Sequence, residues 1–549
     1  MAWRHTSIIY VHGVGNPKRH VSLSNFLDYF DLYGQTQNKE GVGKPRKFQT
    51  IAEKFHNDVI HYVEFKKVNI IDGRPVTTKT VRVYEAYWVP EALTKFGLGY
   101  LVLWIAIRLK APLLMAFSSW RSFSALRLAT LHRIGLNYDK PGRLEKLERF
   151  YRDFDNWEGR SRYKSGSFKQ FLLHIDAISS PQDKVGLQES ATLWRSRFQR
   201  EVLSSFLTTL SFVIGILWLF GLALHALKTV YSSIKTGSLN FTVEFVVDSS
   251  FLMILVSVGA YGLSLLSKYV FDVAAWTMES EKDQRFAARR KVVGFTQKLI
   301  RHVVDDSNCG EVHVVAHSLG TSVAMEAIFK EGELAKIAPK NSLERIAPNL
   351  AKIRTIFLTG SPIDLIFSYF QADRTFSHRY NRLYEDKRPS IGLPPFWIDG
   401  KAATSRIYNF WSRFDPISST VLSVRKKLSE RRDALVNSEC LPPGAPLPLR
   451  AHVSYFADPS VMGAIYRAVM LGELPDPAIA HHPPRLMGFG RRANIVFGVA
   501  FTSCITWTVL FHEWIVPLGT SLLIFGVWAA WRCIVVKSYQ STVGRYLKR

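Results

Sequence analysis

The stretch EVHVVAHSLGTSVAME, residues 311–326, constrains the fold more than any other part of the chain. Its first half, VHVVA, is a short apolar run of the kind that forms a strand buried on both faces. From Thr321 the residues TSVAMEAIFKE read as a helix. The chain therefore passes from strand to helix through a sharp turn at Ser318. Such a turn holds its serine in a strained conformation and needs small neighbours. Ala316 and Gly320 supply them. Glycine is usual at the first of these positions, and alanine is the next smallest residue. The helix N-terminus beneath Ser318 favours negative charge there.

Strands and helices alternate around this turn. SIIYV (7–11) reads as a strand, followed by a loop and a long amphipathic region. Strands are expected near 59–67 and 80–88, the second of them β-rich in composition. DQRFAARRKVVGFTQKLIRHVVDD reads as an amphipathic helix, with Val292, Phe295, Leu299 and Val303 spaced along one face. KIRTIFLTGSP is a second buried strand after the turn, and RIYNFWSRFDPIS is another with a polar end. HVSYFADPSVMGAIYRAVM reads as a loop leading into a helix. No internal repeat is present. The alternation predicts a mostly parallel α/β sheet.

A second class of segment interrupts that pattern. Residues 202–227 and 249–267 are apolar and carry no charge. About 20 such residues span a bilayer as a helix. Residues 493–512 and 514–531 read the same way, with only Glu513 between them, as a tight helical hairpin. Residues 96–117 contain Arg108, Lys110 and Pro112 near the middle. Those charges are costly at bilayer depth, so an interfacial or re-entrant helix is expected there. The N-terminus runs straight into a strand-like segment with no secretory leader pattern, so the first domain is expected in the cytoplasm.

The net charge is +26. Nucleic acid, an anionic leaflet and a positive-inside topology bias could each account for it. The bases cluster beside the apolar segments, at Arg195, Arg197 and Arg200, at Arg285, Arg289, Arg290 and Lys291, at Arg491 and Arg492, and at Arg545, Lys548 and Arg549. That placement favours the membrane readings, and no nucleic-acid motif accompanies it. The cysteines Cys309, Cys440, Cys504 and Cys533 show no paired or metal-ligand spacing. Neither a metal nor a cofactor is expected.

The strand–serine–helix turn, preceded by IIYVHGVGN (8–16) and followed by FWSRFDPIS and AHVSYFADPS, resembles the α/β-hydrolase superfamily, in particular its lipase- and esterase-like serine hydrolases. The resemblance covers residues 1–90 and 290–475 in pieces and leaves out the membrane segments. It implies Ser318 as nucleophile, His452 as base and Asp415 as acid, in the family's chain order. It also implies an oxyanion hole from the backbone N–H groups of Val14 and Leu319. His12 and Gly13 would organise that loop, with Ala316 and Gly320 supporting the turn. Asp364, just after the strand that follows the turn, is an alternative acid; Asp399 and Asp458 are weaker ones. His317 is expected to be structural. Asp415 before Pro416 could instead be a turn or capping residue, and His452 an ordinary surface histidine.

These readings divide the chain into four parts. Residues 1–90 and 285–475 form the hydrolase domain. Residues 91–284 are an insertion with the first hairpin, and 476–549 a linker with the second. The expected function is hydrolysis of an ester, of lipid origin, by a membrane-integrated enzyme with its catalytic domain and both termini in the cytoplasm. The pocket is expected to open toward the membrane, lined from 96–117 or 366–397. A peptidase, thioesterase or acyltransferase uses the same scaffold. A non-catalytic membrane scaffold or effector that retains a hydrolase domain also fits.

Overall fold

The computed structural model describes residues 5–13, 19–37, 46–55, 58–71, 74–88, 284–337, 349–363, 394–398, 401–412, 434–444 and 448–475, with isolated positions 231, 415, 418, 421, 523, 526, 527, 530 and 534. The expected segments 96–117, 202–227, 249–267 and 493–512 lie outside these residues, as do Val14, Asp364 and Asp399. Among the described residues no helix is long and apolar enough to cross a membrane.

The described strands are β1 (His5–Val11), β2 (Arg46–Phe55), β3 (Asp58–Ile71), β4 (Arg74–Glu85), β5 (Cys309–His317), β6 (Ile353–Thr359), β7 (Trp397–Ile398), β8 (Lys401–Ala402), β9 (Arg406–Trp411) and β10 (Leu435–Glu439). Eight of them form one sheet in the order β10-β9-β6-β5-β1-β4-β3-β2, while β7 and β8 pair separately. From β10 to β4 every pairing is parallel, and β3 and β2 are added antiparallel at one edge. The sheet is thus mostly parallel, as the alternation of elements predicts. β1 lies between β4 and β5, with Ile8 opposite both Val83 and His313. The strands before residue 90 and β5, β6, β9 and β10 after 308 therefore belong to one sheet.

Helices cover both faces. They are α1 (Val21–Gln37), α2 (Gln284–Asp305), α3 (Leu319–Ile337), the short α4 (Pro448–Val453) and α5 (Pro459–Tyr466). β1 is buried along its whole length. Its Ile9 and Val11 join the core made with Val292, Leu299, Val323 and Ile328 of α2 and α3. Its Ile8 and Tyr10 join the opposite core, with Phe26 and Phe30 of α1 and Val461 and Ile465 of α5. A strand with two apolar faces has no polar side to expose, which is why β1 and β5 read as continuous apolar runs. Each fully buried isoleucine contributes about 1.5–3 kcal/mol.

β2 and β10 lie outside the sequence expectations. β2 (RKFQTIAEKF) is an edge strand bonded only to β3, and its bases and exposed residues give it no apolar run. A charged edge discourages further strand pairing. β10 (LVNSE) is polar and is tied to its neighbour partly through side chains, with Asn409 Nδ2 donating to Asn437 Oδ1 at 2.8 Å. One charge assignment also changes. Arg289, grouped with a membrane-flanking cluster in the sequence, donates to Glu326 of α3 at 2.8 Å and ties α2 to α3.

Candidate active site

The carboxyl ends of β1, β5, β6 and β9 meet at one end of the sheet, where ligands bind in open α/β folds. Ser318 follows β5 and directly precedes α3, at φ +54. A non-glycine residue there costs about 1–3 kcal/mol, so surrounding contacts must hold it. The Ser318 N–H donates to the Thr359 carbonyl at 2.9 Å. Its carbonyl accepts from the Thr321 hydroxyl at 2.7 Å. The turn is packed tightly on its neighbours. A Cβ on Gly13 would lie 2.6 Å from Ser318 Cβ, and one on Gly320 would collide with the Val11 and His12 carbonyl oxygens. Ala316 is fully buried.

Three sequence-predicted residues come together here. His452 Nε2 is 2.8 Å from Ser318 Oγ. His452 Nδ1 is 2.8 Å from Asp415 Oδ2. Asp415 is an acceptor as a carboxylate, so Nδ1 carries the ring proton and Nε2 accepts from the serine hydroxyl. Ser318, Asp415 and His452 are 2%, 3% and 1% exposed. Asp415 lies just beyond β9, and its N–H donates to the Ser412 carbonyl at 3.1 Å. His452 sits in α4, not in the loop that the sequence predicts. A six-residue helix opening at Pro448 is too short for a periodic pattern to reveal. Gly360, at φ +62 after β6, passes close beneath it: a Cβ there would be 3.3 Å from the imidazole.

The other described candidates have distinct partners. Asp458 caps α5, accepting from the Ser460 N–H at 2.8 Å, so its carboxylate is engaged away from the imidazole. His317 Nε2 donates to the His452 carbonyl at 2.8 Å, which makes it a brace for His452. Burial, reinforced by His452, lowers its pKa to about 4. His12 stacks on Trp88 at 4.6 Å, and its Nδ1 donates to the Gly13 carbonyl at 2.9 Å. Burial lowers its pKa to about 4, so it is neutral near pH 7. Leu319 is the first residue of α3. Its N–H is one of those without a partner inside the helix, and it stands beside Ser318.

Sequence reasoning missed Tyr455, Ser418 and Gly360. The Tyr455 hydroxyl donates to Asp415 Oδ2 at 2.9 Å and lies 2.9 Å from Ser418 Oγ. Nothing in VSYFAD distinguishes that tyrosine from a core aromatic. Gly360 does carry a signal, the TGSP turn directly after an apolar strand.

Glu85, the last residue of β4, is buried against His20. Its Oε2 accepts from the His20 N–H at 2.9 Å and lies 3.1 Å from the His20 ring, while its Oε1 has no partner among the described residues. Burial raises its pKa from 4.5 to about 7, against the opposing pull of the His20 N–H and Arg19. Burial also lowers the His20 pKa, so near neutral pH the ring contact is a hydrogen bond to an uncharged imidazole. A carboxyl that holds its proton more tightly when folded contributes most stability below about pH 4.5 and loses it as pH rises through about 7. Glu85→Gln is therefore expected to stabilise the protein at pH 8 by on the order of 2 kcal/mol and to change little at pH 4.5. Thermal melts of the purified full chain at both pH values check this. An equal loss at both would contradict it.

The chain matches no family model, no curated protein and no solved structure.

Proposed function

We propose that the protein is a membrane-integrated serine hydrolase of the α/β-hydrolase type, which cleaves lipid esters through an acyl-serine intermediate. The observation that carries this reading is the unbroken chain Ser318–His452–Asp415, with both links at 2.8 Å, on a serine held at φ +54 between a strand and a helix.

In the first step Ser318 Oγ attacks the ester carbonyl carbon and its proton passes to His452 Nε2. Asp415 holds the Nδ1 proton and stabilises the imidazolium that forms. The developing oxyanion is met by the Leu319 N–H and the N-terminal end of α3; one such donor is worth about 10²–10³ in rate. Collapse expels the alcohol, which takes the proton from His452. Water, activated by the same imidazole, then attacks the acyl-serine, and its proton returns to the serine oxygen by way of His452. His317 and His12, both neutral at working pH, do not compete for that proton.

The membrane part of the reading rests on the sequence and on two observations. First, β1 and β5 are bonded in one sheet, so the chain must return to the side it left. Crossings within 91–284 therefore come in an even number, which 202–227 and 249–267 supply, and 96–117 lies along the interface. The loop between those two spans carries Lys228 and Lys235 against Glu244 and Asp248, while the arginine clusters flank the hydrolase side. Second, the isolated described residues Leu523, Val527 and Ile534 are helical and expose apolar side chains, as residues of the expected span 514–531 and its flank would toward lipid. Both hairpins then turn on the far side of the bilayer, with both termini cytoplasmic.

An enzyme held at the leaflet gains most from a substrate that resides there. Each acyl CH₂ buried in the pocket contributes about 0.8 kcal/mol, so long chains favour binding by about tenfold for every two methylenes. Turnover is expected to be faster on long-chain lipid esters in vesicles than on short soluble esters, and absent for both in Ser318→Ala. Equal rates on the two substrate classes would reduce the spans to a simple anchor.

A further inference from the structure

We infer that Tyr455 is a positioning residue of this site: through its hydroxyl it fixes the Asp415 carboxylate and so sets how well His452 works as a base. This rests on the serine-hydrolase reading above and extends it to a fourth side chain.

The geometry is specific. The Tyr455 hydroxyl donates to Oδ2 of Asp415 at 2.9 Å, and the same oxygen accepts from His452 Nδ1 at 2.8 Å. Two donors from different elements on one oxygen leave the carboxylate little freedom to rotate about its Cβ–Cγ bond. Tyr455 is itself held from behind. With its own proton on Asp415, its oxygen accepts from the Ser418 hydroxyl at 2.9 Å, and Ser418 Oγ in turn accepts from the Ser412 N–H at 3.1 Å. Its ring is fully buried, and Gly360 leaves it room: a Cβ there would stand 3.0 Å from the ring. The tyrosine thus joins the chain after β9, which carries Asp415, to the turn directly after α4, the helix that carries His452.

The chemistry has a direction. A buried hydroxyl that donates to a carboxylate withdraws part of its charge, because hydrogen bonds act strongly where the dielectric is low. Asp415 then stabilises the His452 imidazolium less than a free carboxylate would. The donor persists across the working range, since burial and the Asp415 charge push the phenol well above its usual pKa. Other titratable groups also face this cluster. His317, at the end of β5, is held near pKa 4 mainly by burial. The Cys440 thiol, following β10, is pushed well above its usual range, also by burial. Asp458 and Glu439 are the nearby carboxylates acting on that thiol.

Tyr455→Phe tests the role with an ester substrate and the full-length protein. Removing the hydroxyl frees the carboxylate to rotate and restores its charge. Two effects should appear together: kcat falls by about tenfold with KM changed less than about twofold, as for a misplaced catalytic group, and the acid limb of the kcat/KM profile moves up by about half a pH unit. A variant with wild-type kcat and an unmoved acid limb would overturn the inference and leave Tyr455 a packing residue. Should Tyr455→Phe fail to fold, Ser418→Ala keeps the test open. It leaves the ring in place and removes the hydroxyl behind it, together with that hydroxyl's bond to Ser412. A loss of about two- to threefold with the limb moving the same way supports the role, and an unchanged profile counts against it. Ser318→Ala separates the two claims. If it still hydrolyses the ester, the serine-hydrolase reading fails. If it is inactive while Tyr455→Phe is unchanged, only the role of Tyr455 fails.

Discussion

Ser318→Ala and His452→Ala, made singly, are each expected to lower kcat for ester hydrolysis by about 10⁴-fold or more, and the double variant should be no slower than the slower single. The reason lies in the order of the contacts. Ser318 Oγ can attack only as its proton leaves, and the acceptor in reach is His452 Nε2 at 2.8 Å. Removing either partner removes the same event, so the losses do not add. Activity left in the variants reflects binding and the oxyanion donors, which neither substitution touches. Ser318→Ala removes one oxygen, so its melting temperature should stay near the parent's, while His452→Ala empties a buried site in α4 and should melt lower yet remain folded at assay temperature. Steady-state kinetics on one ester, with melts as a control, checks the point. Additive losses would mean that the two residues serve separate steps.

Asp415→Asn should cost about 10³–10⁴-fold in kcat with the fold intact. In the parent, Asp415 Oδ2 accepts from both His452 Nδ1 and the Tyr455 hydroxyl. An asparagine can present either end of its amide to that pair. If nitrogen faces the ring, the proton moves to Nε2 and the imidazole can no longer accept from Ser318. If oxygen faces it, the tautomer survives but the negative charge that stabilises the imidazolium is gone. Either outcome slows acylation, and both leave the size of the side chain unchanged. Full activity in Asp415→Asn, with loss in Asp364→Asn, would move the acid to the strand that follows the serine turn.

The parts of this site that were legible in the sequence share one property: they are written locally. β1, β5, β6 and β9 are apolar runs because neighbours cover both of their faces. Ser318 announces itself through Ala316 and Gly320, whose small size the turn requires. Asp415 and His452 follow in order, each near the end of an apolar segment. What stayed hidden is set by tertiary contacts. Tyr455 reads as a core aromatic until the fold brings it to Asp415, a contact spanning 40 residues of sequence. Arg289 reads as a juxtamembrane base until α2 packs on α3 and Glu326 takes it up. Asp458 reads as a third carboxylate near the histidine, yet it spends its oxygen on capping α5. β2 and β10 were hidden for a different reason. An edge strand needs only backbone partners, so polar residues serve as well as apolar ones.

The central claim is that Ser318 is a nucleophile primed by His452, and covalent labelling tests it most directly. The full-length protein is incubated with a fluorophosphonate, digested, and its serine peptides are weighed by mass spectrometry. The account predicts a single phosphonylated serine, Ser318, with no adduct in Ser318→Ala and labelling slowed by about 10³-fold or more in His452→Ala. Folded wild-type protein that takes up no label, or that carries it on another serine, would contradict the account.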